Sequence, residues 1–171
     1  MEATQTLIPY DDKTKFYAEL SREIEALKDP IWFTALANAS ASLKQHLPDI
    51  NWVGFYLMKG GELVLGPFQG LPACTRIAVG RGVCGTAVRE RKSMLIEDVD
   101  QFPGHIACDS ASRSEVVIPL FRDFARTDLI GVLDVDSPTL SRFDAQDLAG
   151  LELIASTLTR VNAFADLNTF A

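Results

Sequence analysis

Three cysteines, Cys74, Cys84 and Cys108, are the thiols of this 171-residue chain. An odd number of cysteines in a chain long enough to fold around its own core argues against a secreted disulfide framework, so their chemistry is in question. Cys108 lies in a turn-rich stretch, Phe102 to Ser114, with His105 and Arg113 close in sequence. Cations beside a thiol lower its pKa, and a mobile thiolate suits redox turnover. Cys74 lies in a loop just ahead of a short strand, where it can move toward a second thiol, and is the preferred resolving partner. Cys84 shares a helical stretch with Val88 one turn later and reads as packing. A zinc site drawn from Cys74, Cys84, Cys108 and His105 is disfavoured: no two of the cysteines are closer than ten positions, whereas structural zinc ligands come in close pairs. No metal is expected. His105 alone reads as a hydrogen-bonded loop residue and His46 as a partner of a helix dipole, so neither founds a catalytic triad.

Carboxylates and aromatics make a second group. Asp134 and Asp136 share one strand face inside the apolar run Leu129 to Val135 and beyond it, where an unpartnered carboxylate is expensive to bury. If Glu115, at the start of a neighbouring strand, lies beside them, repulsion raises at least one pKa and leaves a carboxylic acid near neutrality. The alternative for Asp136 is a strand-ending turn with Ser137 and Pro138. In Asn51 to Met58 the alternation puts Trp52, Gly54, Tyr56 and Met58 on one face, so a residue without a side chain lies between two rings. That shape floors a small pocket, although filling the core is the plainer role for two aromatics. Gly80-Arg81-Gly82 before a helix offers backbone N–H groups to an anion, a weak signal by itself.

The elements that position these groups follow from periodicity. Phe16, Leu20, Ile24 and Leu27 mark an amphipathic helix capped by Asp11 or Asp12, and Pro30 opens a second that runs to Pro48. Asn51 to Met58, the Gly60-Gly61 turn and Glu62 to Phe68 make a hairpin. Thr75 to Val79 is a short strand, Val83 to Arg91 a helix and Met94 to Ile96 a brief strand. Glu97 to Ser114 is an irregular loop. Glu115 to Phe121 and Leu129 to Val135 are paired strands joined by the polar connector Arg122 to Asp128. Ser141 and Asp144 resemble a capping box before a last helix carrying Leu148, Leu151, Ile154, Leu158 and Val161.

A formal charge of −7 removes the phosphate attraction on which nucleic-acid binders rely. Met1 to Pro9 lacks a basic leader, and no apolar run is long enough to span a bilayer, so a cytoplasmic protein is expected.

NWVGFY at Asn51 to Tyr56, LGPFQGLPACTRIAVGRGVCG at Leu65 to Gly85, FPGHIACDSASRSE at Phe102 to Glu115 and GVLDVDS at Gly131 to Ser137 closely resemble free methionine-(R)-sulfoxide reductases. The resemblance implies an α+β GAF fold, with a central antiparallel sheet of about six strands flanked by helices. It implies one GAF domain over residues 1–171, with an N-terminal helix in 1–29 and the core and C-terminal helix in 30–171. It places the attacking cysteine at Cys108, the resolving one at Cys74 and the third family cysteine at Cys84. The ligand-binding aromatics fall on Trp52 and Tyr56, and the carboxylate cluster on Glu115, Asp134 and Asp136. The connector Arg122 to Asp128 is slightly longer than the family's usual turn. The implied reaction is thiolate attack on the sulfoxide, a sulfenic acid, an intramolecular disulfide and recycling by thioredoxin and NADPH, with no bound cofactor, in a homodimer. The competing reading is a non-catalytic GAF sensor of a small molecule or of redox state.

Overall fold

The computed structural model describes residues 6–104 and 110–160. Two helices come first, α1 (Lys13–Ala26) and α2 (Trp32–His46). They are followed by β1 (Trp52–Lys59), β2 (Glu62–Gln69), β3 (Arg76–Ala78) and α3 (Gly82–Glu90). β4 (Met94–Ile96), a 3-10 turn at Val99–Gln101, β5 (Ser114–Phe121), β6 (Leu129–Ser137) and α4 (Ala145–Arg160) complete the order. The strands form one six-stranded sheet in the order β3-β2-β1-β6-β5-β4, with every neighbouring pair antiparallel. This is the α+β architecture expected from the sequence.

Alternation along the central strands sorts their side chains between two cores. Val53 and Phe55 of β1 and Leu133 and Val135 of β6 pack with Phe16, Leu20 and Ile24 of α1, Leu36 and Leu43 of α2, and Leu151, Ile154 and Leu158 of α4. On the other face, Trp52, Tyr56, Val117 and Val132 pack with Val83, Cys84, Ala87 and Val88 of α3. Both faces being covered explains why β1 and β5 are apolar almost throughout.

Helix ends depart from the sequence reading in two places. α1 is capped as expected by Asp12, whose side chain accepts the Lys15 N–H. α2 starts at Trp32 rather than Pro30, because the Asp29 carboxylate takes the Ile31 N–H in a turn that holds Pro30 outside the helix. The capping box of α4 lies one turn later than Ser141 and Asp144. Asp144 accepts the Asp147 N–H at 3.0 Å, and the Asp147 carboxylate accepts the Asp144 N–H at 3.0 Å. Ser141 instead holds a left-handed turn, φ 50°, and donates its N–H to Glu97. The connector between β5 and β6 is closed by Asp123, which accepts the N–H groups of Thr127 and Asp128. His46 closes α2 with structural bonds: Nδ1 accepts the Ile8 N–H and Nε2 meets Glu23.

Candidate active site

Register sets the geometry of the site. Trp52 pairs with Asp136 and Gly54 with Asp134 across β1 and β6, while Glu115 pairs with Asp136 across β5 and β6. All five therefore stand on the face that α3 covers. Trp52 and Tyr56 stack with ring centroids 5.9 Å apart, and Phe68 of β2 stacks on Trp52 at 5.3 Å. Gly54 makes this possible: a Cβ there would lie 2.3 Å from the Phe68 Cβ and 2.7 Å from Cη2 of Trp52. The rings are fastened at their polar ends. Trp52 Nε1 donates to the Leu71 carbonyl and the Tyr56 hydroxyl to the Cys74 carbonyl, each at 3.1 Å. Both rings are 2% exposed, so they serve as core as well as wall.

The acids form a tight group beside this wall. Glu115 and Asp134 are each 6% exposed, and Asp136 is half-buried within β6 rather than in the turn that begins at Pro138. Cys84, 4% exposed on α3, brings Sγ to 3.3 Å from Asp134 Oδ2 and 4.0 Å from Glu115 Oε1. Among the described residues no cation pairs with Glu115 or Asp134, and Asp134 Oδ1 is buried without a hydrogen-bond partner.

Burial first, and then the charges of Asp134 and Asp136, push the Glu115 carboxyl well above the usual range. Burial also raises Asp134, opposed by its hydrogen bonds with Cys84 and Glu115. The protonated acid expected from the sequence thus has a larger cause than repulsion, namely loss of water. The same burial, with Asp134 and Glu115 next to it, drives the Cys84 thiol upward, so it is neutral at ordinary pH.

Other expected groups fall out differently. Cys74 is half-buried and disulfide-bonded, whereas Cys84 is a free thiol. Cys108 and His105 lie outside the described residues. The Gly80-Arg81-Gly82 turn is not an open anion cradle, since the Gly80 N–H donates to Gly85 and the Arg81 N–H to Ala78. Sequence reasoning missed Phe68 and the contact of Cys84 with the acids. Phe68 lies near the end of β2, and a register shift between Gly54 and Tyr56 sets it opposite Gly54 and against Trp52, a bulge that the turn residues do not announce.

Residues 33–161 match the family model of the GAF domain. The free methionine-R-sulfoxide reductase of Escherichia coli is 50% identical over 161 residues, covering 93% of this chain and 96% of that protein. The enzyme of the same name from Saccharomyces cerevisiae is 38% identical, covering 90% of this chain and 89% of its own. The crystal structure of free methionine-R-sulfoxide reductase from Neisseria meningitidis, in complex with its substrate, superposes with a TM-score of 0.84 at 44% identity, covering 92% of this chain and 95% of that one. An acid and thiol cluster under an aromatic wall, in a chain alike over nearly its whole length to these proteins, places it in the GAF-domain family of free methionine-R-sulfoxide reductases.

Proposed function

We propose that this chain reduces free L-methionine (R)-sulfoxide to methionine. The observation that carries the proposal is the buried group of Glu115, Asp134 and Cys84, which has no cation among the described residues and therefore stores protons instead of charge. The Neisseria relative, solved with its substrate, supports the choice of ligand.

In this reading the Cys108 thiolate attacks the sulfoxide sulfur while Glu115, held protonated by burial and by Asp134, donates to the sulfoxide oxygen. The hydroxyl so formed passes to the Cys108 sulfur as the bond between the two sulfurs breaks, which releases methionine and leaves Cys108 as a sulfenic acid with one proton taken up in all. Cys74 attacks that sulfur, expelling water and forming a disulfide, which an external dithiol such as thioredoxin returns to two thiols. A disulfide at Cys74 beside a free Cys84 is consistent with this division of labour. Trp52 and Tyr56 hold the methyl group by dispersion, and Asp134 and Asp136 pair with the substrate ammonium, which a peptide-bound methionine lacks. The chemistry needs no bound cofactor. The protein acts in the cytoplasm as a homodimer of one-domain chains; no helix among the described residues is long and apolar enough to cross a membrane.

Thioredoxin-coupled NADPH oxidation with the free (R) and (S) sulfoxides tests the reading. Turnover of the (R) form alone, abolished by Cys108→Ser, is expected. No turnover of either epimer would instead favour a non-catalytic sensor.

A further inference from the structure

Cys84, Glu115 and Asp134 reach one point from three elements, α3, β5 and β6, and one ligand atom from each lies within 4.8 Å of the other two. We infer that this triad is a binding site for a single borderline-soft divalent cation, zinc being the type, held by the Cys84 sulfur and one oxygen from each carboxylate.

Two observations converge on it. A tetrahedral zinc with bonds of about 2.3 Å to sulfur and about 2.0 Å to oxygen needs sulfur and oxygen about 3.5 Å apart. The Cys84 sulfur stands 3.3 Å from Asp134 and 4.0 Å from Glu115, so the ligands close around an ion by shifts of a few tenths of an ångström. The Asp134 side chain, 94% buried, meets Cys84 through Oδ2 and keeps Oδ1 without a hydrogen-bond partner, so a small rotation of this carboxylate can offer an ion an acceptor that the protein leaves unmet. A thiolate among the ligands selects against magnesium and calcium, which take oxygen shells. This ligand set shares only Cys84 with the cysteine and histidine group that the spacing of the sequence disfavoured.

The consequence for turnover rests on the proposed function: an ion held here occupies Glu115 and Asp134, the groups assigned to the sulfoxide oxygen and the substrate ammonium, making zinc a reversible inhibitor. The binding itself does not depend on that reading.

The test is titration of the full-length chain with cobalt(II), which reports thiolate ligation and tetrahedral geometry by absorption. A thiolate-to-cobalt charge-transfer band that zinc displaces is expected. It should vanish in Cys84→Ser and persist in Cys74→Ser and Cys108→Ser. Asp134→Asn, which keeps every thiol, should weaken binding by roughly tenfold or more, with near-UV circular dichroism showing that each variant is folded. A band that survives Cys84→Ser, or that disappears in Cys108→Ser, overturns the site. Methionine released in a single turnover of reduced protein, with no free dithiol to bind the ion, then measures inhibition. A cobalt band without any turnover in zinc-free protein sinks the reductase reading and leaves the ion site standing. Turnover unaffected by saturating zinc overturns the inhibition.

Discussion

Two groups of buried carboxylates lie on opposite faces of the sheet, and they are neutralised in opposite ways. Asp147, 0% exposed at the start of α4, accepts hydrogen bonds from the hydroxyls of Tyr10 and Tyr17 and from Lys13 Nζ at 2.7 Å. Arg142 Nη1 adds a contact at 3.3 Å. Its charge is matched by two cations, and the arrangement fastens α1 and the preceding loop to α4. Glu115 and Asp134, also buried, meet each other and the Cys84 thiol with no cation paired to them among the described residues. Where cations supply the balance, a buried acid holds the fold together. Where protons supply it, the acid can give one away, and that is the property a reductase requires.

Exchanging one residue in each group separates the two roles. Glu115→Gln removes the transferable proton with little change in shape, so (R)-sulfoxide turnover should drop by about 10²–10⁴-fold with the thermal midpoint nearly unchanged; a variant retaining wild-type turnover would move the donor elsewhere. Asp147→Asn should do the reverse. Loss of the buried ion pairs of Asp147 with Lys13 and Arg142, which leaves Lys13 with Asp144 alone, costs about 3–5 kcal/mol in urea unfolding, while turnover per folded molecule stays within a factor of about two at 25 °C. Loss of activity in proportion to neither would mean that the two groups are coupled through the sheet.

The pH dependence of stability should also have opposite signs on the two faces. Raised native pKa values at Glu115 and Asp134 mean that the folded protein holds more protons than the unfolded chain above about pH 4. Stability contributed there is present at low pH and declines as pH rises through the native values; Asp134→Asn should flatten that decline. Asp144, lowered to about 2 chiefly by its hydrogen bond from Lys13, contributes stability that is present above the ordinary carboxylate pKa and is lost as pH falls toward 2. Asp144→Asn should flatten the acid limb alone, as read by urea midpoints across pH. The smallest effect belongs to Tyr56→Phe, which removes the hydroxyl bonded to the Cys74 carbonyl. A loss of about 0.5–1.5 kcal/mol is expected, together with slower formation of the Cys74 disulfide in single turnover. A stability loss with an unchanged rate would make that bond purely structural.

Much of this contrast was legible before the structure. Period-two alternation puts Trp52, Gly54 and Tyr56 on one face of β1 and Asp134 with Asp136 on one face of β6, and strand pairing brings both to the same side of the sheet. What stayed hidden is long-range. Cys84 meets Asp134 across 50 positions and Tyr17 meets Asp147 across 130, and a helical period says which side of a helix is buried without saying what it faces. The role of Asp147 is hidden for the same reason: Arg142 is near it in sequence, but Lys13, Tyr10 and Tyr17 reach it only once α1 docks on α4. The capping box stands one turn beyond the expected Ser141 and Asp144 because the Ser141 N–H is taken by the Glu97 carbonyl.

Gly54 also limits how this site can evolve. Because even a methyl group at that position would collide with the side chains of Phe68 and Trp52, no single substitution there enlarges or reshapes the wall by small degrees. The adjacent strand and the indole would have to move together, so drift toward bulkier ligands requires several coordinated changes, and the width of the pocket is inherited with the backbone.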